Sequence, residues 1–268
     1  MRYDIVDMVA KAGSGHPGGS LSASDIVATL YFSGVMNFGP DMLDDPKRDR
    51  FILSKGHAAP VLYAALAQMG IIEHEELSTL RKLHSRLQGH PDCLKLPGVE
   101  VSTGSLGQGL SIAAGLALGL SADYGDEAPT VFALMGDGET QEGQVWEAAE
   151  FASQYKLSNI VAILDYNNLQ IDGCVSDVMD VAPAADRWSA FGWKTFEVDG
   201  HDIEQLCEVL REAKAYADGP AIVIARTVKG KGVSFMENQA GWHGKAPDAE
   251  QTKQALAELS AQIKELEA

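Results

Sequence analysis

Five short runs rich in apolar and β-branched residues set the frame of this chain: "RFILS" (50–54), "TVFALMG" (130–136), "NIVAILD" (159–165), "WKTFEV" (193–198) and "AIVIART" (221–227). Several are apolar at nearly every position, so neither face of such a strand is meant for water, which suits a parallel sheet covered on both sides. Between them, "QVWEAAEFASQYK" and "DIEQLCEVLREAKAYA" carry apolar residues at helical spacing. A parallel connection needs such a crossover. The order predicts an α/β chain: a doubly wound, mostly parallel sheet with helices on both faces. Residues 1–268 read as a single domain without repeats or low-complexity segments, with a polar terminal helix over about 248–267. "LSIAAGLALGL" reads as a closely packed buried helix, and "EHEELSTLRKLHSRL" as a helical stretch.

Composition narrows the function classes. The hydrophobic share of 46% is ample for a core, and the net charge of −17 argues against a non-specific grip on nucleic acid or an anionic membrane, since both need clustered positive potential. An anionic ligand must then be held locally, by a metal ion or by backbone amides. Cys93, Cys174 and Cys207 are scattered and form no C-x-x-C pair, so neither a disulfide framework nor a zinc site is expected. The opening "MRYDIVDMVAKAGSGHPGG" lacks the apolar core of a signal peptide, and no stretch approaches the roughly 20 apolar residues of a membrane helix. A cytoplasmic protein is expected.

Glycines gather in "GSGHPGGS", "TGSLGQG", "GDGETQEG" and "KGKG". In open parallel sheets the ligand crevice lies beyond the carboxyl ends of the strands, so a glycine loop that follows a strand is placed for binding. "TVFALMG" delivers Asp137 at such an end, between Gly136 and Gly138, and "NIVAILD" ends at Asp165 and runs at once into "YNNLQIDG". One strand-helix-strand unit separates Asp137 from Asn167, so both side chains can meet at one sheet edge. A carboxylate oxygen, an amide oxygen and a nearby backbone carbonyl make a seat for Mg²⁺ or Ca²⁺. One carboxylate cannot form a dedicated cage, so phosphate oxygens would complete the coordination. The other reading is that Asp137-Gly138 is a βα turn, with Asp capping the next helix, and that Asn167-Asn168 is a second turn.

A G-D-G after one apolar strand and an N-N after the next form the pattern of thiamine-diphosphate enzymes, and the chain resembles the diphosphate-binding half of that superfamily. "AGSGHPGGSLSASDI", "DRFILSKGHAAPVLYAAL", "GHPD" and "STGSLGQGLSIAAGLALG", in this order, resemble the N-terminal segment of transketolases. With "GDGETQEGQVWEAAEFA", "DYNNLQIDG" and "GWHGKAP" the resemblance runs over essentially the whole chain. It implies that Asp137, Asn167 and the backbone carbonyl of Leu169 hold the metal, while Gly104, Ser105, Leu106, Gly136 and Gly138 line thiamine diphosphate. It also implies that His57 and His243 lie against the cofactor, His243 near its diphosphate, and that His16 and His90 contact the sugar or relay protons. Glu142 would sit beside the cofactor at an interface between subunits.

Imidazole can donate and accept protons near neutral pH, and can hydrogen-bond hydroxyls without adding a fixed charge, as sugar chemistry requires. His74 and His84 carry no such motif, and His201, in "DGHD", reads as a helix-entry residue. Trp146, Phe151 and Tyr155 fall at helical spacing and read as core or interface. Lys229 and Lys231 either approach phosphate or sit in a solvated turn. Two positions depart from the commoner transketolase pattern: Ser105 stands where proline is usual, and Glu139 where a small residue or cysteine is frequent. Glu139 has no assigned role.

Full-length transketolases continue into a domain that binds the aminopyrimidine ring and supplies a catalytic glutamate. Only about one further helix follows "WHGKAP". The resemblance is therefore to the first subunit of a split transketolase, inactive alone and completed by a C-terminal transketolase subunit in an α2β2 assembly. The activity implied is transfer of a two-carbon ketol unit from a ketose phosphate to an aldose acceptor. Two other readings stand beside it. One is a subunit of another thiamine-diphosphate ketol transferase or synthase, acting on a sulfonated or branched sugar or forming a deoxyxylulose phosphate; the other is a non-catalytic scaffold subunit.

Overall fold

A computed structural model describes residues 1–267. Helices α1 (Arg2–Ala12), α2 (Pro17–Ser22) and α3 (Ser24–Phe32) precede β1 (Arg50–Leu53), which is followed by α4 (Ala59–Gln68), α5 (Gln108–Tyr124) and β2 (Val131–Gly136). Helix α6 (Gly143–Gln154) crosses over to β3 (Ile160–Tyr166), and a small hairpin of β4 (Leu169–Gln170) and β5 (Gly173–Cys174) leads to α7 (Val175–Val178) and α8 (Ala184–Ala190). The order continues through β6 (Lys194–Asp199), α9 (Ile203–Ala215), β7 (Ala221–Arg226) and α10 (Ala249–Leu266). Each apolar run has become a strand of one sheet, ordered β1-β2-β3-β7-β6, with every neighbouring pair parallel.

The inner strands are apolar on both faces because each face meets its own layer of helices. Phe132, Leu134, Val161, Ile163 and Val223 join one core with α1, α3, α4 and α9. Their neighbours Val131, Ala133, Ile160, Ala162 and Ile222 join the other, with α5, α6 and Trp188 of α8. Full burial of one such side chain contributes about 1.5–3 kcal/mol, so the strand interiors are strongly committed to the sheet. Edge strand β6 is covered less completely, which accounts for the more polar "WKTFEV". Helix α9 turns Leu206, Leu210 and Ala213 inward, and α10 begins at Asp248 with a capping box shared with Gln251. Trp146 packs against Trp188 and Phe191, while Tyr155 stacks on Phe151 at the surface. No helix among the described residues is long and apolar enough to cross a membrane.

Two expectations are corrected. "LSIAAGLALGL" is helical but not wholly buried: Leu110, Ala113, Ala114 and Ala117 face the core, whereas Ile112, Gly115 and Gly119 are exposed. The run is apolar all round, so its periodicity could not reveal the open face. "EHEELSTLRKLHSRL" contains only a 3-10 turn over His74–Thr79, after which Arg81 and His84 take positive φ and the Arg81 amide donates to the Leu87 carbonyl. The chain turns back there instead of continuing as a helix.

Candidate active site

Parallel pairing brings the carboxyl ends of four strands to one edge. Leu53 is level with Leu134, Gly136 with Asp165, and Tyr166 with Arg226. The loops leaving β1, β2, β3 and β7 therefore meet, and they enclose a cleft of about 320 Å³, where open parallel sheets bind ligands.

The β2 exit contributes Asp137, only 2% exposed. One of its oxygens accepts the Gly138 amide at 2.7 Å and the other accepts the Asn168 amide. Turn and cleft wall thus coincide: the carboxylate caps the 3-10 turn that starts at Gly138 and also faces the cavity. Burial, reinforced by the charge of Asp165, pushes its pKa up to about 6, and a carboxylate so placed gains from a nearby cation.

Asn167 and Leu169, on the β3 exit, line the same cleft. The Asn167 Oδ1 accepts the Leu169 amide at 3.1 Å, and its Nδ2 donates to Asp165 Oδ2 at 3.2 Å. One carboxylate, one amide oxygen and one backbone carbonyl form a hard, incomplete oxygen set, which fits Mg²⁺ or Ca²⁺ completed by phosphate oxygens. Among the described residues no group of three or more His, Cys, Asp or Glu side chains is arranged to hold a metal ion.

Asp165 is the hub behind this set. It accepts from the Ser22 hydroxyl at 2.5 Å and from Lys55, Thr227 and Asn167. Burial alone would raise its pKa, but Lys55 and the hydroxyl donors outweigh burial and hold it below the usual carboxylate range. Lys55, on the β1 exit, is itself buried and also donates to the Gly19 carbonyl at 2.9 Å. Nothing in "SKGH" marks that lysine as interior; its position directly after an apolar strand was the available signal.

Lys229, on the β7 exit, corrects the solvated-turn alternative. It is buried, lines the cleft, and donates to the Leu169 carbonyl at 2.8 Å and to His243 Nδ1 at 2.9 Å. Burial, with the nearby charge of Lys55, lowers its pKa to about 8. Lys231 instead lies half-exposed, 3.9 Å from Glu237. Glu139 is buried too, and accepts from the Ser54 hydroxyl and from the amides of Gly107 at 3.0 Å and Gly136 at 3.1 Å. That one carboxylate ties together the exits of β1 and β2 and the start of α5.

Three of the four motif histidines stand together. Ring centroids are 5.0 Å apart for His57 and His243, 5.3 Å for His16 and His57, and 5.6 Å for His16 and His243. His90 lies further out, 6.4 Å from His16, exposed and beside Gly104. Burial, then the Arg81 guanidinium, lowers the pKa of His16 to about 4; burial, then Lys229, lowers that of His243 to about 3. His57 is held well below its ordinary value by burial and Lys55, and His90 is lowered by burial and Arg81. All four are therefore neutral at pH 7, able to donate and accept hydrogen bonds without charge.

Gly104, Leu106, Gly136, Gly138 and Glu142 line the cleft, whereas Ser105 is exposed and lies outside its wall. The loops carrying His57 and Gly104 press backbone to backbone: a Cβ on Gly56 would fall 2.7 Å from the Gly104 nitrogen.

Fold and cleft together define a class: a parallel α/β chain whose strand exits bring buried lysines, neutral histidines and hard oxygens around one cavity, as a site for a phosphorylated ligand requires. A family model described as "Transketolase, thiamine diphosphate binding domain" matches residues 1–265. The chain belongs to that family, among the transketolase-type thiamine diphosphate enzymes. It is 44% identical over 266 residues to an apulose-4-phosphate transketolase subunit of Phocaeicola vulgatus, covering 99% of this chain and 93% of that protein. It is 40% identical to 6-deoxy-6-sulfo-D-fructose transketolase subunit SqwG of a Clostridium species, covering 97% and 93%. The crystal structure of transketolase from Campylobacter jejuni superposes with a TM-score of 0.90 at 34% identity, over 97% of this chain and 41% of that one. The chain thus spans less than half the length of that solved transketolase.

Proposed function

We propose that this chain is the diphosphate-binding subunit of a transketolase that transfers a two-carbon ketol unit from a ketose phosphate to an aldose acceptor. The observation that carries this reading is the sharing of one cleft by the oxygens of Asp137, Asn167 and Leu169, the Lys229 ammonium, and neutral His16, His57 and His243. Asp137, Asn167 and the Leu169 carbonyl would hold Mg²⁺ or Ca²⁺. Gly104, Leu106, Gly136, Gly138, His57 and His243 would hold thiamine diphosphate, with Ser105 and Glu142 at its margin. When bound, the cofactor supplies the electron sink for cleavage next to the ketose carbonyl.

The chain's own residues bind, orient and move protons. The Lys229 ammonium donates to His243 Nδ1, which leaves the neutral ring with its N–H on Nε2 as a donor toward a diphosphate. His16 and His90, near the guanidinium of Arg81, hydrogen-bond sugar hydroxyls and pass protons without adding positive charge. His57, deepest of the four, excludes water beside the cofactor.

Two features support a partner that supplies the pyrimidine-binding domain and its glutamate, in an α2β2 assembly: the similar proteins of matching length are named as subunits, and the open face of α5 starts next to the cleft. The three free cysteines support a reducing, cytoplasmic setting. A second reading concerns the sugar alone: the names of the two relatives favour a donor such as apulose 4-phosphate or 6-deoxy-6-sulfo-D-fructose.

The test is two-carbon transfer from a panel of ketose phosphates together with 6-deoxy-6-sulfo-D-fructose, measured with this chain alone and mixed with a pyrimidine-domain chain. Activity is expected only in the mixture, with thiamine diphosphate and Mg²⁺ present. No transfer from any donor would overturn the reading, and turnover by this chain alone would overturn the split arrangement.

A further inference from the structure

We infer that His201 and Asp25 form a positioning pair that fixes the exit of β7 and so aims Lys229 into the cleft; its bearing on a diphosphate rests on the function proposed above. Four of the five strand exits line the cavity, but the exit of β6 does not. Its turn ends at Asp202, which caps α9 by accepting the Gln205 amide at 3.1 Å. His201 precedes that cap, and its ring, 12% exposed, turns away from the helix toward the neighbouring strand.

The ring makes two contacts that together allow a single protonation state. Nε2 accepts the Val228 amide at 2.8 Å, and Nδ1 lies 2.7 Å from Asp25 Oδ2. A backbone N–H can only donate, so Nε2 must offer a lone pair. The neutral ring therefore carries its hydrogen on Nδ1 and donates it to Asp25. Asp25 sits in the first turn of α3, and the same oxygen accepts Arg2 Nη2 at 2.5 Å. The carboxylate is thus anchored from one side by Arg2 while it fixes the tautomer of His201 on the other.

Val228 stands between the two residues of this exit that serve the site. Thr227 donates its hydroxyl to Asp165, and Lys229 reaches the Leu169 carbonyl and His243. The flanking backbone is anchored by Thr227 N to the Tyr166 carbonyl at 3.2 Å and by Gly230 N to the Gly18 carbonyl at 3.0 Å. The Val228 amide itself is held by the His201 side chain. Without that contact a part-buried N–H would lose its acceptor, and the peptide joining Thr227 to Lys229 would be less firmly held. His201 touches neither cleft nor ligand; it acts through Lys229.

The test uses the full chain with His201→Ala and His201→Gln, the latter retaining an adjacent acceptor and donor. Amide hydrogen exchange over residues 226–233, measured without any ligand, is expected to rise about tenfold in His201→Ala and to stay near wild type in His201→Gln, in keeping with loss of one hydrogen bond. The Kd for thiamine diphosphate with Mg²⁺ is expected to weaken by about the same factor in His201→Ala and to be rescued in His201→Gln. Unchanged exchange in His201→Ala, or equal damage in both variants, would overturn the assignment. If His201→Ala does not fold, Asp25→Asn, which keeps an acceptor for the Nδ1 hydrogen, and Asp25→Ala, which removes it, make the same comparison. Failure of the wild-type chain to bind thiamine diphosphate would count against the proposed function, while the ligand-free exchange still decides the role of His201.

Discussion

The ammonium of Lys229 donates to the carbonyl of Leu169 across 2.8 Å, so a backbone oxygen suited to a divalent cation is already turned toward a positive charge. The two cations would compete for that oxygen, whereas a diphosphate would attract both. In Lys229→Met, the affinity for thiamine diphosphate is expected to fall by about tenfold or more, the scale of a lost charge-assisted hydrogen bond. Mg²⁺ affinity measured without cofactor should not fall. Calorimetric titration of each ligand separates the two, and a parallel loss of Mg²⁺ binding would contradict this account of Lys229.

Asp137 is the sole carboxylate in the oxygen set. Thiamine diphosphate with Mg²⁺ should raise the melting temperature of the wild-type chain, because a ligand that binds only the folded state stabilises it by mass action. Asp137→Ala should abolish the Mg²⁺-dependent part of that rise. A thermal shift that survives in Asp137→Ala would place the cation elsewhere.

The lowered histidines give a pH dependence of definite sign. His16 titrates near 4 and His243 near 3 in the folded chain, against about 6.5 when unfolded. Between those values the unfolded chain binds more protons, so stability falls as pH drops from about 6.5 toward 4 and 3, and it is insensitive to these groups above about 7. Urea unfolding at a series of pH values checks this. His16→Asn should flatten the part of the slope between about pH 6.5 and 4, and an unchanged slope would mean that His16 is not held neutral by its surroundings.

Gly56 lets the His57 loop and the Gly104 loop touch through their backbones. Gly56→Ala would force them apart, at a cost of about 1–3 kcal/mol typical of overpacking. A lowered urea midpoint together with weaker cofactor binding is expected; loss of stability with unaltered binding would show that the spacing of the loops is not critical to the site.

Strand positions and exits were legible because buried parallel strands must be apolar on both faces, and that signal is local. Asp137 and Asn167 could be read as neighbours because they follow adjacent strands. Lys55, Lys229 and Glu139 could not be read in the same way. A buried charged residue is defined by partners far away in sequence, such as Asp165 for Lys55, or Ser54 and Gly107 for Glu139. His201 was legible only as the residue before a helix cap, since its acceptor role depends on β6 lying beside β7. The outer face of α5 was hidden for the opposite reason: glycine and alanine all round a helix leave no contrast between inside and outside.

The strand order also dictates when the site can exist during synthesis. Every ladder in the main sheet is parallel, so no local hairpin seeds it, and the last strand to emerge, β7, inserts between β3 and β6. Until then β6 has no neighbour in the sheet, Asp165 lacks the Thr227 hydroxyl, and Lys229 is missing from the cleft. Pairing at such long sequence separation is slow. A nascent chain therefore acquires its ligand pocket in the final act of sheet closure, and recovery of binding after dilution from denaturant would time that closure directly.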